Sequence, residues 1–544
     1  MKRWHLFLII LLVFVRHAGA ADSHGGSELR FCIGAQPKTF NPLLVADDAS
    51  ETVRYLTGGV LVRLDRSSQK LVPELAVSWT INHAGNAITF TLRRNVRFSD
   101  GTPFSADDVA YTMQRLMDPD LHSPTGDAFR SSPGMVTTHV AGEYRITITF
   151  PAPVGGLDRL FDQVAIISAK SPRKEMAVLG PYYVAENKAG AYLLLNRNPN
   201  YWKHDSAGRQ LPYIDSVRLD IQQNRDIELL RLERGEIDFI NSLNGEYFEA
   251  LKSKASLDVF DAGPSLDSEE MWFNQVPSAP LPDYKKAWFN STHFRRAISS
   301  SIHRDDLVRM VYRGHAQPAV SFISPANRFW FNERLHPHTF DMNTALRELS
   351  QDGFQLRNGT LRDSGGHAVE FSIITNSGNK DRERMATMIQ QDLASIGIRL
   401  NVVTLDFPSL IDRITRSFDY EACLLGLVND DLDPNAQMTI WLSSADNHQW
   451  NPNQKTPATP WEAEIDRLMR EQASAQDVQK RKRAIDRVQE IVWEEEPFIY
   501  LVNKNALSAV SPKLHNVHPV SLRPQVYWDI DHLMLGSEMA KDSR

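Results

Sequence analysis

Residues 381–405 hold the pattern that constrains the fold most. Met385, Met388, Ile389 and Leu393 recur at helical spacing and mark one apolar face. Gly397 follows, where a helix end favours a residue free to adopt positive φ. Ile398-Arg399-Leu400-Asn401-Val402-Val403 then reads as a strand. The rest of the chain mixes the two periods in the same way. Strands are expected at 29–33, 60–64, 89–93, 144–150, 192–196 and 498–502. A helix opens at Ser105, which caps a first turn carrying Asp107 and Asp108, and Val109, Met113 and Leu116 share its inner face. Further helices are expected over 225–233, stopping at Gly235, over 294–300, and over 305–312, ending near Gly314. A late one holds Ile485, Val488 and Ile491 ahead of Pro497. This is an α/β or α+β chain. Residues 443–460, rich in Asn, Pro and Ser, read as a surface loop.

Composition narrows the function. The chain has 544 residues, 42% hydrophobic and 23% charged, as ordinary globular proteins do, and its length allows several lobes. Lys and Arg total 60 against 67 Asp and Glu, a net charge of −7, so no basic excess points to a nucleic-acid partner. Met1–Ala20 reads as a secretory signal: Lys2 and Arg3 precede an apolar run from Leu6 to Val15, and Ala18-Gly19-Ala20 places cleavage before Ala21. The run is about half the ~20 residues a membrane helix needs, and no other stretch is long and apolar enough to span a bilayer. No Cys follows the run to take a lipid anchor. The mature chain is expected to be periplasmic. Cys32 and Cys423 are expected as free thiols.

Motifs for catalysis are absent. There is no Gly-x-Ser-x-Gly, no His-Glu-x-x-His and no phosphate loop. His336-Pro337-His338 lacks the i, i+4 spacing of a helical metal pair. Asp430, Asp431 and Asp433 lack the central Gly and closing Glu of a calcium loop. No enzyme activity, metal or cofactor is expected.

The longest informative stretch runs from Leu71-Val72-Pro73-Glu74-Leu75-Ala76-Val77-Ser78-Trp79, through Phe90-Thr91-Leu92-Arg93, to residues 96–109, Val-Arg-Phe-Ser-Asp-Gly-Thr-Pro-Phe-Ser-Ala-Asp-Asp-Val. With Thr39-Phe40-Asn41-Pro42, Gly180-Pro181-Tyr182, Asn198-Pro199-Asn200-Tyr201-Trp202, Arg234-Gly235-Glu236-Ile237-Asp238, Phe273-Asn274, Phe294-Arg295-Arg296-Ala297-Ile298 and Pro497-Phe498-Ile499, it resembles the extracytoplasmic solute-binding proteins of peptide and nickel ABC transporters. The resemblance covers nearly the whole mature chain. It implies an α/β, two-lobed periplasmic binding protein fold of the class II type, with an extra subdomain and a hinged cleft. Lobe I would comprise residues 21–66, 178–277 and 505–544, the extra subdomain 67–177, and lobe II 278–504. Crossovers would lie near Val276-Pro277 and near Asn503. The implied partners are a peptide ligand and the permease subunits of an ABC transporter, with the binding protein a monomer.

A peptide ligand presents backbone groups, two charged ends and variable side chains. Strand edges can pair its backbone, water-filled pockets can take its side chains, and an enclosed charged end needs an opposite charge. Residues 422–434 suit this, an apolar strand running into carboxylates. The resemblance puts the amine-binding aspartate at Asp430, with Asp431 the alternative, and the pairing backbone at Leu427 and Val428. Asn274 either lines the cleft or caps a strand end. Two departures stand out. The resemblance implies, for dipeptide binders, an Arg ahead of the Met385 helix that takes the ligand carboxylate; here the stretch is Asn376-Ser377-Gly378-Asn379, with no Arg before Arg382. An amide cannot replace a bidentate guanidinium at equal strength, so a longer or different peptide is expected. Leu427-Val428-Asn429 also replaces a commonly aromatic and small pair. The rival ligands within the same fold are nickel complexes, haem, oligosaccharides and opines; an exported hydrolase is the remote alternative.

Overall fold

The computed structural model describes residues 27–130, 134–254, 256–429 and 431–536. The expected signal segment lies outside them. Within the described residues three sheets organise the chain.

In the first sheet, strand Glu28–Ile33 runs parallel to Ser216–Ile221, which continues antiparallel to Tyr192–Arg197 and then Tyr182–Lys188. Leu29, Phe31, Leu195 and Leu219 pack with Val53 and Leu56 of helix Asp48–Thr57. Val510, Tyr527 and Leu533 close this core from the far end of the chain. Three distant stretches thus bury their apolar faces together.

The second sheet is an antiparallel set ordered Ala76–Ile81, Ala87–Leu92, Arg145–Thr149, Thr137–Gly142. Helix Ala106–Met117 covers one face, and Val109, Met113 and Leu116 enter its core as the helical spacing requires. The Ser105 backbone N–H donates to the Asp108 carboxylate at 2.8 Å, so the acid of the first turn reaches back to the cap.

The third sheet is built around two long strands, Asp258–Phe273 and Phe498–Val510. Ala422–Leu427, Glu370–Asn376 and Arg399–Leu405 continue it on one side, and Phe239–Ile240 and Ala316–Pro318 pair with Phe498–Val510. Alternation sorts the side chains to two faces. Met271, Phe273, Ile373, Leu424 and Ile499 pack on helix Lys380–Ser395 through Met385, Ile389 and Leu393. Trp272, Ile374, Cys423, Leu425 and Phe498 pack with Trp441, Trp450 and helices Pro460–Ser474 and Val478–Glu495. Gly397 ends the helix turn with φ +79, and a Cβ there would lie 2.7 Å from the Leu361 nitrogen.

The two long strands also join the first core to the third. Asp258–Asp261 pairs with Leu507–Val510, next to the first core, and Ser268–Phe273 pairs with Ala422–Leu427. Between them the register shifts around Pro264, which has no N–H to give, and Gly263 adopts φ +79.

One sequence expectation holds only in part. Residues 443–460 form a loop as expected, with Asn447, Lys455 and Thr456 exposed, but it is pinned inward at several points. Ser443, His448 and Trp450 are buried and Gln454 nearly so. The Glu462 carboxylate, itself buried, gathers them: it accepts from His448 Nε2 at 3.1 Å, Trp450 Nε1 at 3.1 Å and Gln454 Nε2 at 2.9 Å. Polar residues that satisfy one another around a charge can be buried, whatever their composition suggests. Cys32 and Cys423 are unpaired.

Candidate functional site

A chain of cavities lies between the first and third cores. One of about 850 Å³ is lined by Ser242, Asp267, Asn376, Lys504 and Arg523 among others. One of about 580 Å³, which shares Arg225, Ser242 and Arg523 with it, is also lined by Arg66, Gln163 and Tyr527. Gln163 in turn lines a third, of about 530 Å³, with Leu427, Val428, Asn429, Asp431 and Gln437. The walls come from the first core's loops, the long strands and the edge of the third sheet. The result is a row of adjoining cavities that share lining residues, walled by charged and amide groups rather than by an apolar funnel.

Leu427, Val428 and Asp431 are brought together at one end of this cleft. Strand Ala422–Leu427 ends opposite Ser268, and Val428 beyond it is 57% exposed. Asn429 donates to the Leu266 carbonyl at 3.2 Å and accepts from Gln437 at 2.6 Å, which fixes the turn. Asp430 lies outside the described residues. Asp431 accepts the Asp433 N–H at 2.8 Å. Its carboxyl is reached by solvent yet hemmed in by the cleft walls; that crowding, with Asp433 and Asp162 adding, pushes its pKa up to about 6. Asp433 is held by a buried fork from Arg481, at 2.5 and 3.0 Å. This pair anchors the carboxylate-bearing turn to helix Val478–Glu495.

Asn274 stands apart from the group. It follows Phe273, which pairs with Ala422, whereas Leu427 pairs with Ser268. Six residues along the strand at about 3.4 Å each put it roughly 20 Å away. Its buried amide donates to the Phe418 and Tyr420 carbonyls, both at 2.8 Å, and its oxygen accepts the Val276 N–H at 3.1 Å. Of its two sequence readings, the strand-end cap describes what this side chain does.

Residues 376–379 do line the cleft, but the first arginine after them turns away. Arg382 donates to Glu269 at 2.7 and 3.3 Å and to Asn376 at 2.9 Å, and Lys504 joins Glu269 at 3.1 Å. Burial works to raise the Glu269 pKa, and the two cations outweigh it and hold the carboxyl below the usual range. The cleft residues that sequence reading missed, Arg66, Gln163, Arg225 and Arg523, are lone polar residues on separate segments, Arg225 at the start of a helix and the others on loops. No local spacing connects them.

The second sheet's loops reach across the cleft. Gly155 N–H donates to the Ala473 carbonyl at 2.7 Å, and Asn435 Nδ2 donates to the Gly155 carbonyl at 2.8 Å. A Cβ on Gly155 would fall 2.8 Å from Arg481 Nε and 2.8 Å from the Gln472 carbonyl, so only glycine allows this approach. On the opposite rim Gln69 donates to the Ala326 carbonyl at 2.6 Å and Arg328 to the Ser67 carbonyl at 2.6 Å. Leu64, Leu266, Ala326, Leu432 and Leu522 form a small apolar cluster across the same seam.

A hinged pair of lobes around a polar cleft is the architecture of binding proteins. Residues 70–449 match the family model for bacterial extracellular solute-binding proteins, family 5, and the chain belongs to that family. The oligopeptide-binding protein AppA of Bacillus subtilis is 24% identical over 532 residues, covering 93% of this chain and 91% of AppA. Its structure in complex with a nonapeptide has a TM-score of 0.71 at 22% identity, covering 94% of this chain and 99% of that one. The ABC transporter substrate-binding protein CtaP of Listeria monocytogenes gives a TM-score of 0.79 at 21% identity, covering 94% and 99%. Haem-binding protein A of Haemophilus influenzae is 23% identical, covering 91% of this chain and 90% of its own. The fold is thus the two-lobed solute-binding one. The family is one of solute-binding proteins rather than enzymes. Among the described residues no helix is long and apolar enough to cross a membrane.

Proposed function

We propose that this protein captures peptides, longer than dipeptides, in the interlobe cleft and delivers them from the periplasm to an ABC permease. Residues 21–66, 178–264 and 505–544 act as one lobe, with 67–177 as its extra subdomain, and 265–504 as the other; the boundary expected at 277 moves back to Pro264 because Met271 and Phe273 pack in the third sheet's core. The two long strands serve as the hinge, bending around Pro264. One observation carries the reading: a row of adjoining cavities has walls from two cores joined by a pair of long strands, and a carboxylate-bearing turn at one end. Asp430 or Asp431 takes the ligand's amine, and the backbone at Leu427 and Val428 pairs with the ligand strand. The linked cavities extend well beyond a two-residue ligand. The names of AppA and of its nonapeptide complex favour the same class.

Ligand binding to both walls selects the closed state that a permease reads. The test is mass spectrometry of the purified protein, first native and then denatured. A ladder of short peptides released on denaturation is the expected result. A single non-peptide mass, such as a haem, would overturn the peptide reading. A protein purified empty goes into a thermal-shift screen against a peptide library. There, ligand at 100 times its Kd adds about 2.7 kcal/mol of stability, and no hit in the library would also count against peptides.

A further inference from the structure

Four guanidinium groups wall the cavity of about 580 Å³, those of Arg54, Arg66, Arg225 and Arg523. Three are engaged at short range. Arg54 forks onto Glu51 at 2.5 and 2.6 Å, Arg225 bonds Glu228, and Arg523 bonds Asp267 at 2.9 Å. Arg66 differs. Its one hydrogen bond among the described residues runs from Nη1 to Asp162 at 3.5 Å, and its Nε has no partner. The side chain is only 12% exposed. Asp162 has its other oxygen committed to the Leu64 N–H at 2.6 Å, so it cannot turn to form a fork.

An arginine carries five N–H donors in a plane that matches a carboxylate. A mostly enclosed cation with a single long bond is poorly compensated, and an incoming acceptor gains what the fold leaves unmade. The position is also suitable. Gln163, next to Asp162, lines both the Arg66 cavity and the cavity of Asp431. A ligand with its amine at the 427–431 turn can therefore run along the cleft to Arg66.

We propose that Arg66 binds a carboxylate of the ligand, the contact that residues 376–379 do not supply. The inference rests on the peptide reading above. The carboxylate is either the peptide's C-terminus or an Asp or Glu side chain, and the experiment separates the two.

Wild-type protein, Arg66→Gln and Arg66→Lys are each offered pools of random tri- to pentapeptides. One pool has free C-termini and lacks Asp and Glu. The second is the same pool amidated. The third is amidated and contains Asp and Glu. Retained peptides are read by mass spectrometry, and the tightest are measured by calorimetry. The wild type is expected to prefer one carboxylate-bearing pool over the plain amidated pool by about tenfold or more. Preference for the first pool names the C-terminus, and preference for the third names a side chain. Arg66→Gln is expected to lose that preference, and Arg66→Lys to keep part of it. The apo thermal midpoint of each variant reports its folding. A preference that survives in Arg66→Gln, or a wild type with none, overturns the proposal. A wild type that retains no peptide from any pool overturns the peptide reading, and the Arg66 inference falls with it.

Discussion

Glu270 sits at the centre of the long strand Asp258–Phe273, fully buried, with neither carboxyl oxygen hydrogen-bonded among the described residues. It pairs in register with Leu425 and Tyr500, and the Tyr500 hydroxyl beside it is also without a partner. Burial pushes its pKa up to about 8; Glu269 adds to the rise, while Arg382 and Lys504 oppose it. The sign follows from proton counts. Below the ordinary value of 4.5 the folded and unfolded forms are both protonated, and Glu270 has no pH effect. Between 4.5 and about 8 the unfolded chain has released the proton and the folded one keeps it, so stability falls as pH rises. The slope is at most ~1.4 kcal/mol per pH unit. From about pH 5 to about pH 7.5 the loss is therefore roughly 3 kcal/mol. Glu270→Gln keeps the shape and removes the titration. Urea unfolding of both proteins at the two pH values gives the test, because every other titrating group cancels in the difference. The variant should gain about 2–3 kcal/mol on the wild type between the lower and the higher pH. Parallel pH profiles would refute the reasoning and mean that Glu270 is ionised and partnered in the fold.

Other outcomes follow from the cleft. Arg481→Met strands the buried Asp433 carboxylate and should cost about 3–5 kcal/mol in urea unfolding, with much of the loss recovered in the Arg481→Met/Asp433→Leu double variant; a single variant within 1 kcal/mol of wild type, by the same measure, removes the pair from the anchor. Gly155→Val should lower the thermal midpoint, because a Cβ there falls 2.8 Å from Arg481 Nε and from the Gln472 carbonyl in the packed seam. X-ray scattering should show that this variant no longer contracts on adding ligand. Asp430→Ala should weaken a free-amine peptide by roughly 2–5 kcal/mol in calorimetry if that residue takes the amine. Asp431 gains its proton as pH falls through about 6, so wild-type affinity for such peptides should drop there and Asp431→Asn should flatten the profile.

Much of this protein is local in origin. The helix Lys380–Ser395, its stop at Gly397 and the strand Arg399–Leu405 follow from spacing within one window, as does the helix Arg225–Glu233. The turn from Leu427 to Asp431 was visible as an apolar strand meeting carboxylates. The strand Asp258–Phe273 was not. Asp258, Asp261, Asp267, Glu269 and Glu270 make it look like a solvated segment, yet its second half is buried. Glu269 is tolerated there only because Arg382 and Lys504, more than a hundred residues away in the chain, come to meet it. The loop over 443–460 was legible as a loop, but not its inward anchors, since His448, Trp450 and Gln454 find their partner in Glu462 rather than in water. The cleft belongs wholly to this second kind of information. Gln163, Arg66, Arg523 and Asp431 carry no shared spacing, and they become neighbours only when two separate cores are joined by a pair of strands and closed against each other. Periodicity records which side of a segment is buried, whereas a binding site depends on which segments face each other, and that is decided by long-range packing.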